Sequence, residues 1–403
     1  MALKELAIIG GGPAGLRAAE VASAAGVSVT LYEAKRSVGR KFLVAGKGGF
    51  NMTHAEELEK FETRYRGPNQ PESFWGRALE RFDNQKIRGW AARLEVGTFV
   101  ASSGRVYPKA LKAAPLLRAW VKRLKGQGVR FEVKHRLVNL KKDEEKKGYQ
   151  LSFETESGEK TVTANAVVFA MGGGSWPQTG SDGSWVSLLE KLGVSVSALT
   201  AANCGWEVAW PEALLAEHEG GALKNLTLRA GEEEARGELV LTRYGLEGGP
   251  IYKLGPALKK LSSPVLEIDF KPTLTQEKLV AKMESAKRNF LAESRVRWKL
   301  SEETCSILEW LSGPFESAEA LAVATKTCSL PLIRPRPVEE AISSAGGICW
   351  AELDQDLMLK SFPGLFTAGE MIDWEAPTGG YLMQGCFATG TLAGEAAVAY
   401  LAD

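Results

Sequence analysis

The chain has 403 residues, 44% of them hydrophobic and 25% charged, which suits a globular protein of two or three domains with sizeable cores. Lys and Arg number 50 and Asp and Glu 49, for a net charge of +1, so no global electrostatic signature of nucleic-acid or membrane binding is present, although a local patch stays open under a neutral total. No apolar run reaches the ~18 residues of a membrane span, and the N-terminus enters a folded unit directly, unlike a signal peptide.

Residues 3–33 carry the first motif. Leu6-Ala7-Ile8-Ile9 suits a buried parallel strand, Gly10-Gly11-Gly12-Pro13-Ala14-Gly15 turns it into a helix ended by Gly26, and Val27–Tyr32 is a second strand closed by Glu33. Gly10 permits the tight turn, Gly12 lets a pyrophosphate approach the backbone, and Gly15 lets helix and strand pack closely. The phosphates belong on the helix N-terminus. Glu33, followed by Ala34, stands 18 residues after Gly15, where a carboxylate accepts ribose hydroxyls and favours FAD or NAD over NADP.

Residues 37–54 follow, with Gly39, Gly46, Gly48 and Gly49, the cations Arg40, Lys41 and Lys47, and the compact hydrogen-bonding residues Asn51 and Thr53. The pattern predicts either a loop lining the cofactor or a surface loop. Residues 55–95 read as amphipathic helix with Arg64, Arg66, Arg77, Arg81, Arg88 and Arg93 on a solvated or anion-binding face. A hairpin over 98–109, a helix over 110–125, strands at 129–133 and 137–140 (the second including Val138) and a hairpin over 149–164 come next. Ala166–Gly174 is a second apolar strand running into glycines.

The stretch 196–345 reads as an insertion. Strands are expected at 204–208, 226–230, 237–241 and 265–270, and helices over 275–325. The chain then returns to its first domain. Residues 363–370 form a strand delivering Glu370, residues 371–387 a loop, and residues 388–401 a small-residue helix whose N-terminus faces the electron-rich edge of a reduced flavin. The expected architecture is α/β: a Rossmann-like FAD-binding domain from both chain ends (1–195 and 346–403), an inserted small β subdomain (196–272 and 328–345) and a helical cap (273–327).

These stretches together resemble the HI0933-like (BaiN/YhiN-type) NAD(P)/FAD-dependent oxidoreductase flavoprotein family over nearly the whole chain. The resemblance rests on GGGPAG at 10–15, GRKFLVAGKGGFNMTH at 39–54, GRVYPK at 104–109, AMGGGSWPQTGSDG at 170–183, TRYGLEGGP at 242–250, AISSAGGICW at 341–350 and PGLFTAGEMIDWEAPTGGYLMQGCFATG at 363–390. Where the wider family has Arg-Cys-Asn-x-Thr-Asn, this chain has Gly49-Phe50-Asn51-Met52-Thr53-His54, so only Asn51 and Thr53 carry over. The resemblance implies that the inserted subdomain is β-barrel-like and lies with its helical cap over the flavin, and that the protein is a reductase or dehydrogenase of carbon–carbon double bonds, with steroid-ring chemistry and uridine reduction in ribosomal RNA among the family's reactions.

The expected cofactor residues are therefore Gly10, Gly12, Pro13, Ala14, Gly15, Glu33, Ala34, Gly39, Arg40, Lys41, Gly48, Asn51, Thr53, Val138, Ala170, Gly172, Gly173, Gly369, Glu370, Gly379, Gly380, Gln384 and Gly385. FAD is the bound cofactor and NAD(P)H a transient donor. For a proton donor, Tyr381 comes first, with aromatic packing as its other reading. His54 follows, against a backbone-bonded loop histidine, and then Cys386, against small buried packing. Arg243 and Tyr244 are either contacts for an anionic substrate or structural. Five cysteines without a CxxC point to a reducing cytoplasm, and His54, His135 and His218 lie in no metal-ligand spacing, so no metal is expected. Three functions stay open: a small-molecule ene-reductase or dehydrogenase, an RNA-modifying flavoenzyme acting on uracil, and a flavin-binding sensor or assembly factor without turnover.

Overall fold

Four consecutive apolar residues, Leu6–Ile9, are all buried, as a parallel strand covered on both faces must be. In the computed structural model, which describes residues 4–45, 49–145 and 147–403, this run is the centre of a five-stranded parallel sheet. The strands are β1 (Glu5–Ile9), β2 (Ser28–Glu33), β3 (Arg130–Val133), β4 (Ala166–Phe169) and β5 (Leu365–Thr367), in the order β5-β4-β1-β2-β3. Leu6 pairs with Val29 on one side and Ala166 on the other. The chain divides into two compact units, Met1–Thr200 with Ser343–Asp403, and Ala201–Ile342.

In the first unit, α1 (Pro13–Ala24) joins β1 to β2, and α2 (Tyr381–Ala402) follows β5. The two helices meet through small residues. A Cβ on Gly390 would lie 2.4 Å from the Ala14 carbonyl oxygen, and one on Gly394 3.0 Å from that of Ala18. Both pairs are four residues apart, so each set lies on one helix face. Behind α1, Glu20 is buried but fully compensated. It accepts hydrogen bonds from the indoles of Trp90 (2.9 Å) and Trp120 (3.0 Å) and pairs with Arg17 and Arg123. An antiparallel sheet of Arg136–Asp143, Gly148–Thr155 and Gly158–Ala164 precedes β4, and a smaller one joins Thr53–His54, Arg105–Pro108 and Thr98–Val100.

One boundary differs from the sequence expectation. The last helix starts at Tyr381, not Ala388, because Gly380 (φ 98°) caps it and Gly385, although a glycine, is inside it. Tyr381, Gln384, Gly385 and Cys386 are therefore helical residues, not loop residues. The expected helical stretch 55–95 is three helices, Leu58–Glu62, Phe74–Arg81 and Asn84–Arg93.

The second unit holds a six-stranded antiparallel sheet in the order Trp206–Glu207, Gly245–Glu247, Glu233–Thr242, Ala222–Ala230, Val265–Asp269 and Cys328–Pro331. Its edges meet: the Glu207 N–H donates to Arg334 O (2.9 Å) and the Ile333 N–H to Glu207 O (2.8 Å), closing the sheet into a barrel-like form. Helices Gln276–Lys282, Glu302–Ser312 and Ala318–Lys326 start on Thr275, Ser301 and Ser317, whose side chains accept the first-turn N–H groups. Sheet and helices share one apolar core, with Leu228, Ile268, Leu308 and Leu321 fully buried. Tyr244 in this unit donates to Glu247 and lies under the Arg336 guanidinium.

Candidate cofactor and proton site

The β1–α1 turn is shaped by its glycines. Gly10 has φ 110°, and a Cβ there would lie 2.2 Å from the Ala170 carbonyl oxygen; one on Gly15 would lie 2.0 Å from the Gly10 oxygen. No side chain caps α1, so its first N–H groups face outward with the positive end of the helix dipole. Gly12, the capping position, differs from its neighbours: a Cβ on it would meet no atom of the described residues within 4 Å.

Glu33 ends β2 beside this turn. One carboxylate oxygen accepts the Gly11 N–H (2.9 Å) and the other the Lys35 N–H (2.8 Å). Burial pushes its carboxyl above the usual value, against the pull of those two bonds. Ala34 is half-buried next to it. The Glu33 carbonyl takes the His135 N–H, which brings the 136–143 strand alongside. Val138 stands there at a register shift between Leu137 and Asn139, exposed and outside the ladder pairs. Pro13 and Ala14 form the first turn of α1, and the Gly39 N–H donates to Gly11 O.

The second glycine turn leaves β4 from Ala170. Gly172 has φ 78°, and Gly173 packs so closely on Ser344 that a Cβ would overlap its hydroxyl. Across from it, Lys41 Nζ donates to Ser175 Oγ (2.7 Å) and Glu370 Oε2 (2.8 Å). Gly369 precedes Glu370 with φ 75° and abuts the Ala14 side chain. Thus α1, the 39–41 segment, the 170–175 turn and the 369–370 turn converge in one place. Gly48 lies outside the described residues.

At the start of α2, Gly379 and Gly380 both have positive φ, and a Cβ on Gly380 would lie 2.6 Å from the Thr53 backbone. Gly385 packs on Trp374 and Tyr65. The Tyr381 hydroxyl donates to Glu56 Oε1 at 2.6 Å, and Glu56 accepts two bonds from Arg64, at 2.9 and 2.7 Å. Burial, and then the Glu56 carboxylate, hold the Tyr381 phenol well above its usual value. His54 stacks on the Tyr381 ring, with centroids 5.4 Å apart. Both His54 nitrogens engage backbone: Nε2 pairs with Ser103 O (3.0 Å) and Nδ1 accepts the Glu56 N–H (3.2 Å). Cys386 is buried inside α2, and burial pushes its thiol well up, the opposite of activation. Glu56 and Tyr65 were not legible as site residues, and Arg64 only as one of six arginines. Glu56 and Tyr65 each bond Tyr381, more than 300 positions along the chain.

Among the described residues, eight buried side-chain polar atoms have no hydrogen-bond partner, and four of them belong to Arg40, Asn51, Thr53 and Gln384. Buried polar atoms without partners are rare and call for an explanation such as a ligand. With the open side of Gly12, they fit a long polar cofactor laid from α1 to the start of α2. Among the described residues, no helix is long and apolar enough to cross a membrane, and no group of His, Cys, Asp or Glu is arranged to hold a metal.

A parallel sheet with this first turn and this acid defines a Rossmann-type dinucleotide-binding protein. The HI0933-like protein Rossmann domain model matches residues 4–396, so the chain belongs to the HI0933-like family. It is 27% identical to the 3-dehydro-bile acid delta(4,6)-reductase of Clostridium scindens, over 98% of this chain and 99% of that one. To the ribosomal RNA dihydrouridine synthase of Escherichia coli it is 24% identical, over 94% of each. Among solved structures it shares its fold with the 3-ketosteroid-delta4-(5alpha)-dehydrogenase of Rhodococcus jostii RHA1, with a TM-score of 0.54 at 17% identity, covering 98% of this chain and 97% of that one.

Proposed function

We propose that this chain, an FAD-dependent oxidoreductase, reduces a conjugated carbon–carbon double bond of a small molecule with NAD(P)H as electron donor. The observation that supports FAD most directly is Gly12, the one glycine of its turn whose missing side chain is not required by neighbouring protein atoms within 4 Å yet whose backbone lies at a bare helix N-terminus. The double-bond substrate is supported by the Clostridium scindens relative, a reductase matched end to end.

Bound FAD supplies the hydride chemistry. The chain's own residues bind and orient. Gly12 and the first N–H groups of α1 take the pyrophosphate, and Glu33 accepts ribose hydroxyls. The Val138 backbone reads the adenine edge. Lys41, fixed by Glu370 and Ser175, supplies the cation of the site. Asn51, Thr53 and Gln384 supply hydrogen-bonding groups near the start of α2, and Tyr381 holds a proton on Oη. Five free cysteines suit a reducing compartment such as the cytoplasm.

Anaerobic mixing of the holoprotein with NADH and NADPH, followed by 4-androstene-3,17-dione as a probe enone, tests the reading. The flavin should bleach with one of the nucleotides and regain its colour with the enone. Recovery with a uridine-containing ribosomal RNA fragment in place of the enone would move the assignment to RNA, the reading that the Escherichia coli relative favours. No bleaching with either nucleotide would leave a flavin-binding protein without turnover.

A further inference from the structure

We propose that Glu56 is the proton relay of this site, carrying protons between solvent and the Tyr381 phenol, with Arg64 holding it in place. The inference rests on the ene-reduction reading. Reducing a double bond puts a hydride on one carbon and a proton on its neighbour. As the second C–H bond forms, the O–H bond of Tyr381 breaks. The Glu56 carboxylate then takes a proton from a solvent acid, hydronium or buffer, and passes it to Oη, which restores the phenol and leaves the carboxylate as it began. Each proton delivered is thereby replaced and no charge accumulates.

The geometry supports that route. Tyr381 is 5% exposed, walled in by His54 and by Phe61, whose ring meets it edge-on at 4.8 Å. A phenol so enclosed needs a polar outlet if it is to turn over. Its hydroxyl donates to Glu56 Oε1 at 2.6 Å, a length typical of a charge-assisted bond, and the Arg64 guanidinium, which carries no acceptor for that proton, lies beside the same hydroxyl. Exposure then rises outward, from 10% for the Glu56 side chain to 32% for that of Arg64. His54 is not an alternative outlet, because both of its nitrogens are engaged with backbone. Glu56 is faced by Arg64, Tyr381 and His54, and Asn84 binds its backbone oxygen. Burial would raise its carboxyl, but the hydrogen bonds from Arg64 and Tyr381 more than cancel that, leaving it below its usual value. At neutral pH the resting pair is therefore phenol and carboxylate. The protonated relay becomes scarcer as pH rises, so the rate of proton delivery falls with pH.

A simple structural clamp would show the same distances, so the test must follow protons. Glu56→Gln keeps the shape and removes the exchangeable carboxyl proton. It should slow flavin reoxidation by 4-androstene-3,17-dione roughly 10²-fold, more than it slows reduction by nucleotide, and flatten the pH profile. Glu56→Asp should restore part of the rate. An ultraviolet titration of tyrosinate, which needs no substrate, should show one tyrosine moving down toward the ordinary value of about 10 in Glu56→Gln, and that tyrosine should be missing in Tyr381→Phe. A titration that Glu56→Gln does not move overturns the relay, as does an unchanged pH profile in a variant whose titration has moved. Failure of the wild type to pass electrons to any enone sinks the ene-reduction reading instead, and the titration still reports on the Tyr381–Glu56 bond.

Discussion

Two glycine-rich turns bracket the first unit, and their glycines serve different partners. In the β1–α1 turn, Gly10 and Gly15 are required by backbone that lies next to them in the same motif or one strand away, while Gly12 faces open space. At the start of α2, Gly380 is pressed on Thr53, Gly385 on Trp374 and Tyr65, and Gly390 on Ala14. Those glycines admit other parts of the protein. A dense run of glycines before a helix is thus ambiguous: the residue type reports close approach, and only the structure says whether chain or ligand is the visitor.

The largest effects should come where the visitor is backbone. Gly10→Ala combines a φ of 110° with a Cβ 2.2 Å from the Ala170 oxygen. Left-handed strain and overpacking together should cost about 3–5 kcal/mol, and Gly390→Val, pushing α2 off α1, should cost a similar amount. Denaturant titration of the apoprotein measures both. Losses below about 1 kcal/mol would mean that the two helices have room to separate, and the contrast between the turns would collapse.

Gly385→Ala should be intermediate. Its Cβ would meet Trp374 at 2.8 Å and Tyr65 at 2.9 Å, rings that are themselves stacked into a cluster with Trp75. Overpacking of this kind costs about 1–3 kcal/mol, read as a lower thermal midpoint in the apoprotein. The same position shows what the sequence could and could not reveal. The β1–α1–β2 unit was legible because strand period, turn glycines and terminal acid agree within 33 consecutive positions. In the insertion, strands were legible from short apolar runs and turn residues, whereas closure into a barrel-like form came from the family resemblance, because the edge bonds between Glu207 and 333–334 join residues about 127 positions apart. The start of α2 was not legible, since two positive-φ glycines and an internal glycine read as loop when Thr53, Tyr65 and Trp374 are out of view. Glu56 was missed for the same reason: its partner Tyr381 is 325 positions away, and a lone glutamate in a polar stretch carries no local mark.

The smallest effect on stability, and the sharpest on function, belongs to Gly12→Ala. Among the described residues nothing within 4 Å opposes the added methyl group, and Gly12 has φ −79° and ψ −178°, which alanine adopts freely. The apoprotein should therefore keep its thermal midpoint, changing by less than about 0.5 kcal/mol. FAD should bind at least tenfold more weakly, a loss of about 1.4 kcal/mol, because the methyl group occupies the space through which a pyrophosphate reaches the α1 N–H groups. Fluorescence titration of the apoprotein with FAD measures this. Unchanged affinity would place the pyrophosphate elsewhere and remove the reason for reading Gly12 as the ligand's glycine. Weak binding together with a destabilised apoprotein would make Gly12 one more packing glycine, no different in kind from Gly390. Only weak binding on an intact fold preserves the distinction between a turn built to admit chain and a turn built to admit cofactor.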